Sequence, residues 1–259
     1  MFIGNYPKFN EGRILKSGML ESLRDYPREI MKIKYEKCSD GIIAGCDIEV
    51  KDNFIVIKEG IIKFGKNIYT LKKDYLIKYA NNNVLTSIKV KFLPEHDEGD
   101  YVRIEAEIFM TEDITIKDGE MELCRFKLRE GARLRREYVS FIDFSTEFDT
   151  VNIINAPFAA IGESSLSPYI LRTFGREMLK YDLTESFDIN FACLCVQSRD
   201  TIEKDIIISY VKSKLNITDG EYTNEQLYNY LVQILESVSN GQGSQGTRSK
   251  GRYKKIFID

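Results

Sequence analysis

Residues 41–71, GIIAGCDIEVKDNFIVIKEGIIKFGKNIYTL, alternate apolar with charged side chains at a period of two, interrupted only by glycines and one Asp-Asn pair. That period places successive side chains on opposite faces of an extended backbone, so the segment reads as strand and not as helix. Ile48 and Val50 alternate with Asp47, Glu49 and Lys51, and Phe54–Ile57 follow after Asp52-Asn53. Both of those turn residues tolerate the left-handed backbone that a tight hairpin demands. Gly60 and Gly65 mark further turns, with Ile61–Phe64 and Ile68–Leu71 as strands. A meander of about four strands in one antiparallel sheet is expected.

A second β block runs from about residue 75 to 156. Its segments YLIKYA, LTSIKVKFL, DYVRIEAEIFMT, MELCRFKL and TVNIINA are alternating or β-branched, with Asn, Asp and Gly between them. Hairpin-length loops without an intervening helical pattern argue against a doubly wound parallel sheet, and the strand spacing is sandwich-like. Before this block, residues 18–36 place Met19, Leu20, Leu23, Tyr26, Ile30, Met31 and Ile33 at helical spacing behind Ser17 as a cap. Pro27 is expected to break or kink that helix.

Beyond residue 157 the period changes. Pro168 suits the first turn of a helix capped by Ser167 or Ser165, and 184–215 reads as one or two helices broken near Ser198–Asp200. Thr223 and Gln226 form a capping box ahead of an apolar face made by Leu227, Tyr230, Leu231 and Ile234. The fold class is α+β, organised as an N-terminal arm and helix (1–40), an antiparallel β domain (41–156), a helical domain (157–239) and a flexible linker with a basic tail (240–259). Phe2, Ile3, Tyr6 and Phe9 would suit an arm reaching into another subunit. In the tail, Arg252, Tyr253, Lys254, Lys255, Ile256, Phe257 and Ile258 combine charge with a short apolar run that can dock on a partner as an added strand.

The functional candidates are few. A hydrophobic fraction of 43% supplies a core, while 37 basic residues against 40 acidic ones give no global field for nucleic acid or an anionic membrane. No apolar run spans a bilayer, and the first residues lack the pattern of a signal peptide, so synthesis in the cytoplasm is expected. Cys38, Cys46, Cys124, Cys193 and Cys195 are odd in number without repeated CxxC spacing and read as reduced structural thiols. A single histidine, His96, lowers the expectation of an enzyme, since the commonest general base is nearly absent, and the lack of tryptophan counts mildly against glycan recognition. His96, Asp97, Glu98 and Asp100 in PEHDEGD match no EF-hand spacing and read as a solvated acidic turn, not a cation site. Asp143, Glu147 and Asp149 offer the paired carboxylates of a glycosidase, although the solvent side of a turn requires the same residues. IGESSLS, 161–167, is not a nucleophile elbow. Arg129, Arg133, Arg135 and Arg136 form a local basic patch diluted by Glu130 and Glu137, better suited to ion pairing within or between subunits than to nucleic acid. No cofactor or metal is expected.

The segment 41–71, with ELCRFKLREGARLR at 122–135 and TVNIINAPFAAIG at 150–162, resembles accessory proteins of clostridial contractile phage tails and phage-tail-like bacteriocins. The likeness spans roughly residues 10–215, and its matching positions are strand apolars and the turn glycines Gly41, Gly45, Gly60 and Gly131. More loosely, the first segment resembles a widespread phage module in which a strand pair supports a fibre attachment domain. The resemblance implies a structural protein at a baseplate or tail-fibre attachment. It would be assembled into a virion or phage-tail-like particle, with other baseplate or fibre proteins and copies of itself as partners. The competing readings are a wall-degrading enzyme using the 143–149 carboxylates and a glycan-binding or receptor-binding module using some of the 15 tyrosines.

Overall fold

The computed structural model describes Gly4 and residues 6–243. The molecule is α+β. Helix α1 spans Ser17–Tyr35, followed by strands β1 (Gly41–Gly45), β2 (Ile48–Lys51), β3 (Phe54–Ile57), β4 (Gly60–Phe64) and β5 (Asn67–Leu71). The block continues through β6 (Tyr75–Lys78), β7 (Leu85–Phe92), β8 (His96–Asp97), β9 (Val102–Arg103), β10 (Ala106–Thr111) and β11 (Glu120–Lys127). Four helices then complete the described chain: α2 (Pro168–Met178), α3 (Ser186–Gln197), α4 (Lys204–Leu215) and α5 (Asn224–Gly243).

The 41–71 segment does not close into one meander. Its strands divide between two antiparallel sheets, ordered β1-β4-β5 and β2-β3-β6, while β10-β7-β11 makes a third and β8-β9 a short ribbon. The hairpin over Asp52-Asn53 forms as the turn chemistry dictates, with Asp52 taking the left-handed backbone. The division arises three residue pairs beyond Ile48↔Ile57, where β1 pairs with β4 from Gly45↔Gly60 onward. Gly45 and Gly60 permit that pairing: a Cβ on Gly45 would lie 2.1 Å from the Glu59 carbonyl oxygen, and one on Gly60 2.3 Å from the Cys46 nitrogen.

β7 is the central strand of the third sheet and is buried on both faces, so Ser87 and Lys89 are as enclosed as Ile88 and Val90. Lys89 resolves its burial by donating to the Thr115 carbonyl (2.6 Å) and to Glu120 (3.2 Å). In β11 a bulge between Glu122 and Cys124 keeps the adjacent pair Leu123-Cys124 wholly inside. The sheets are joined by Phe64 stacked on Phe92 at 4.1 Å and by Tyr79 edge-on to Phe126. One contiguous buried cluster continues from these strands into the helices.

TVNIINA forms no strand. It makes only isolated bridges, Asn152 to Arg125 and Thr150 to Arg135, because β11 ends at Lys127 and 128–166 crosses the body irregularly around a single 3-10 turn, Ile142–Ser145. The local helix signals do appear as read. Ser167 caps α2 by accepting from the Tyr169 N–H, with Pro168 in the first turn. Thr223 and Gln226 exchange both capping-box bonds at the start of α5. α5 runs on to Gly243, so the segment expected to be linker from residue 240 begins as helix.

α1 departs from expectation at its cap, and Pro27 does not end it. It continues through Pro27 as one element, and Ser17 lies inside it, behind Lys16 and without a side-chain cap. An interior proline removes the donor for the Leu23 carbonyl, at a cost of about 3 kcal/mol. The good helix formers around it, Leu23, Arg24, Arg28, Glu29, Met31 and Lys32, carry the helix across that gap. None of its residues is buried.

Candidate functional site

The arginine patch and the candidate carboxylates face each other. Segment 127–135 leaves β11 alongside 143–149, and three cations meet three carboxylates one to one: Lys127 with Glu147 (2.9 Å), Arg129 with Asp149 (2.6 Å) and Arg135 with Asp143 (2.6 Å). Arg135 grips both Asp143 oxygens, which also accept from the Val139 N–H (2.9 Å) and the Thr146 hydroxyl (2.6 Å). Asp149 accepts from the guanidinium and the backbone N–H of Arg129. Lys127 and Arg129 both lie over the Phe148 ring. The result is a staple that fastens the irregular 128–151 stretch to the end of β11.

Such pairing sets the electrostatics against glycosidase chemistry. Hydrogen bonds from Arg135 hold the Asp143 carboxyl far below the ordinary carboxylate range. Burial pushes Asp149 up, but Arg129 outweighs it and the net shift is downward. A general acid needs the opposite displacement, upward toward neutrality. Arg136 takes no carboxylate; its guanidinium lies over Tyr138 (5.0 Å) and Tyr169 (4.5 Å), with its Nε buried. Arg133 is exposed. Of the four arginines read as an interaction patch, three are therefore consumed within the chain. The tail residues Arg252, Tyr253, Lys254, Lys255, Ile256, Phe257 and Ile258 lie outside the described residues.

The acidic turn binds itself. Glu98 accepts from Arg103 (3.1 Å) and lies 3.2 Å from His96 Nε2, across the β8-β9 ribbon. Among the described residues no group of three or more His, Cys, Asp or Glu side chains could hold a metal ion. The cysteines are unbridged, and burial pushes the thiol of Cys46 up to about 11 and that of Cys195 up to about 12, with Cys124 also displaced upward. Thiols so displaced are poor nucleophiles. Among the described residues no helix is long and apolar enough to cross a membrane.

Two features that the local patterns do not disclose are open to a partner. β5 and β10 are both edge strands, and between them lies a cavity of about 620 Å³ lined by Ile62, Ile68, Leu71, Phe92, Ala106 and Ile108 among others. Each strand is legible in the sequence, but which edges oppose each other follows from sheet order, which is nonlocal. The second feature is α1. It stands across a gap of about 490 Å³ from β5, and the residues it turns to that gap are Asp25, Arg28, Glu29 and Lys32 with Pro27 and Met31. Leu23, Tyr26, Ile30 and Ile33 do not line the gap and are exposed. An ordinary surface helix does the reverse, presenting its apolar stripe to the body.

No protein-family model matches the chain, and no curated protein matches it in sequence. Among solved structures, the chain is similar to one from the type VI secretion system TssK-TssF-TssG baseplate subcomplex, at 9% identity and a TM-score of 0.42, covering 90% of this chain and 99% of that one. It is also similar to TssK in a crystal structure, at 8% identity and a TM-score of 0.40, covering 92% of this chain and 72% of that one. Likeness at these scores assigns no function.

Proposed function

We propose that the chain is a structural component of a contractile, phage-tail-like particle, placed at the baseplate or fibre attachment and acting through protein-protein interfaces. The observation that carries this reading is the orientation of α1, where Leu23, Tyr26, Ile30 and Ile33 are exposed and do not line the gap between the helix and the described body. Exposed apolar surface of that extent marks an interaction site. The open edges of β5 and β10 add a second place where a neighbouring strand can pair. The carboxylates that an enzyme would use serve instead as acceptors in the 127–149 staple. Mechanical transmission between neighbours requires such stiff bodies joined by separate contact surfaces.

The test is localisation in the native host. Sheath-bearing particles are isolated by sedimentation and labelled with antibody against this chain. The expected result is co-sedimentation with label at one end of the particle; recovery of all the chain in the particle-free supernatant overturns the proposal.

A further inference from the structure

Of the exposed apolar residues of α1, Leu23, Tyr26, Ile30 and Ile33 repeat with a spacing of three and four, a register that half-buried Met19 extends by one turn and from which exposed Leu20 stands apart. That is the a/d seam of a coiled coil, whose narrow stripe is covered by another helix and not by a sheet. The seam is continued by the chain that precedes it. Between Tyr6 and Ile33, nine large apolar side chains are 46–83% exposed, and Tyr6 packs edge-on against Tyr26. Three of the nine are aromatic, at roughly 150–250 Å² for a whole side chain, and with the six smaller aliphatic ones residues 6–33 expose apolar surface on the order of 1,000 Å² per copy, of which the α1 seam is one part. A standard interface takes about 800 Å² from each partner, so this segment alone is large enough to hold a dimer.

The charges say which partner fits. Within α1 the first half carries Glu21 and Asp25 against Arg24 and is net acidic; the second half carries Arg28, Lys32 and Lys34 against Glu29 and is net basic. A second α1 running antiparallel sets each acidic half beside a basic half and opposes the two helix dipoles, whereas a parallel copy sets like beside like. We infer that α1 is a self-association helix, pairing antiparallel with α1 of a second copy. Met19 then packs on Ile30 of the other copy, and Leu23 on its Tyr26. The pairing also supplies what the body withholds, an apolar partner for a proline-interrupted helix that buries none of its own residues. The inference deepens the reading of the chain as an interaction protein and rests on it for its purpose.

Sedimentation equilibrium of the full chain up to about 0.1 mM is compared with Leu23→Asp/Ile30→Asp, both positions being exposed in the single chain. The expected result is a dimer whose dissociation constant rises at least about a hundredfold in the double variant, with the circular dichroism of the sheets unchanged. Orientation is read from introduced cysteines in a chain whose two half-buried native thiols are removed by Cys38→Ser and Cys193→Ser: Met19→Cys and Ile30→Cys proteins should cross-link to each other on oxidation and not to themselves. A monomer at every concentration, or a dimer indifferent to the two aspartates, overturns the pairing. Particle labelling that persists in either case shows that only this surface has failed, and not the structural reading. Self-linking of either variant overturns the antiparallel arrangement.

Discussion

Segments 127–149 and 17–35 carry comparable densities of charge, yet they end in opposite conditions. In the first, Lys127, Arg129 and Arg135 each find a carboxylate within the chain, and Phe141 and Phe144 are wholly buried. In the second, Asp25, Arg28, Glu29 and Lys32 look toward the body across a gap, with Met31 among them, while Leu23, Tyr26, Ile30 and Ile33 are exposed away from it. The difference lies in whether each group's partner belongs to the same chain. Satisfied groups make scaffold, whatever chemistry their residue types suggest, and unsatisfied apolar surface marks the place of contact.

Substitutions can break this contrast at several depths. The largest effect is expected at Phe174, fully buried and packed edge-on against Phe141, Phe191 and Tyr210. Phe174→Ala should cost about 3–5 kcal/mol in urea unfolding, because helices and staple share that aromatic cluster. The state of association, measured at a denaturant-free concentration, should not change.

The staple itself should respond less. Arg135→Met is expected to lose about 1–2 kcal/mol, since Asp143 keeps its Val139 and Thr146 donors while solvent already screens the pair's outer side. The sign with pH follows from the depressed folded pKa of Asp143. Its stabilisation is fully present above the ordinary carboxylate pKa of about 4, and it is lost as pH falls through the lower folded value. Acid unfolding of the wild type should therefore be steeper than that of Arg135→Met, and the two curves should converge at low pH. Equal curves throughout would show that the pair does not stabilise the staple.

The smallest effect is expected at Glu147, whose side chain is 66% exposed beside Lys127. Glu147→Gln should leave the unfolding midpoint unchanged. The same variant sharpens the comparison in function, because a wall-degrading enzyme built on these carboxylates would lose peptidoglycan hydrolysis, whereas the staple has none to lose.

How much of this was legible depended on range along the chain. Thr223 with Gln226, Ser167 with Pro168, and the Asp52-Asn53 hairpin each involve neighbours within a few residues, and each forms as its local chemistry requires. Sheet membership was not legible in the same way, since β1 pairs with β4 across an intervening hairpin and nothing in either strand marks the other. The matching of Arg135 to Asp143 was hidden for the same reason: both residues were singled out, one as interface and one as acid, and only the chain path brings them together. Pro27 misled in another way. A proline usually ends a helix, but the carbonyl it deprives here belongs to the exposed Leu23, where water can replace the lost donor.

Hydrogen exchange on the intact chain, followed by mass spectrometry at low and at high protein concentration, tests the contrast most directly. The account predicts that amides of 17–35 exchange rapidly when dilute and gain protection when concentrated, while those of 120–151 stay equally protected in both. Strong protection of 17–35 at every dilution, or concentration-dependent protection confined to 120–151, would contradict it.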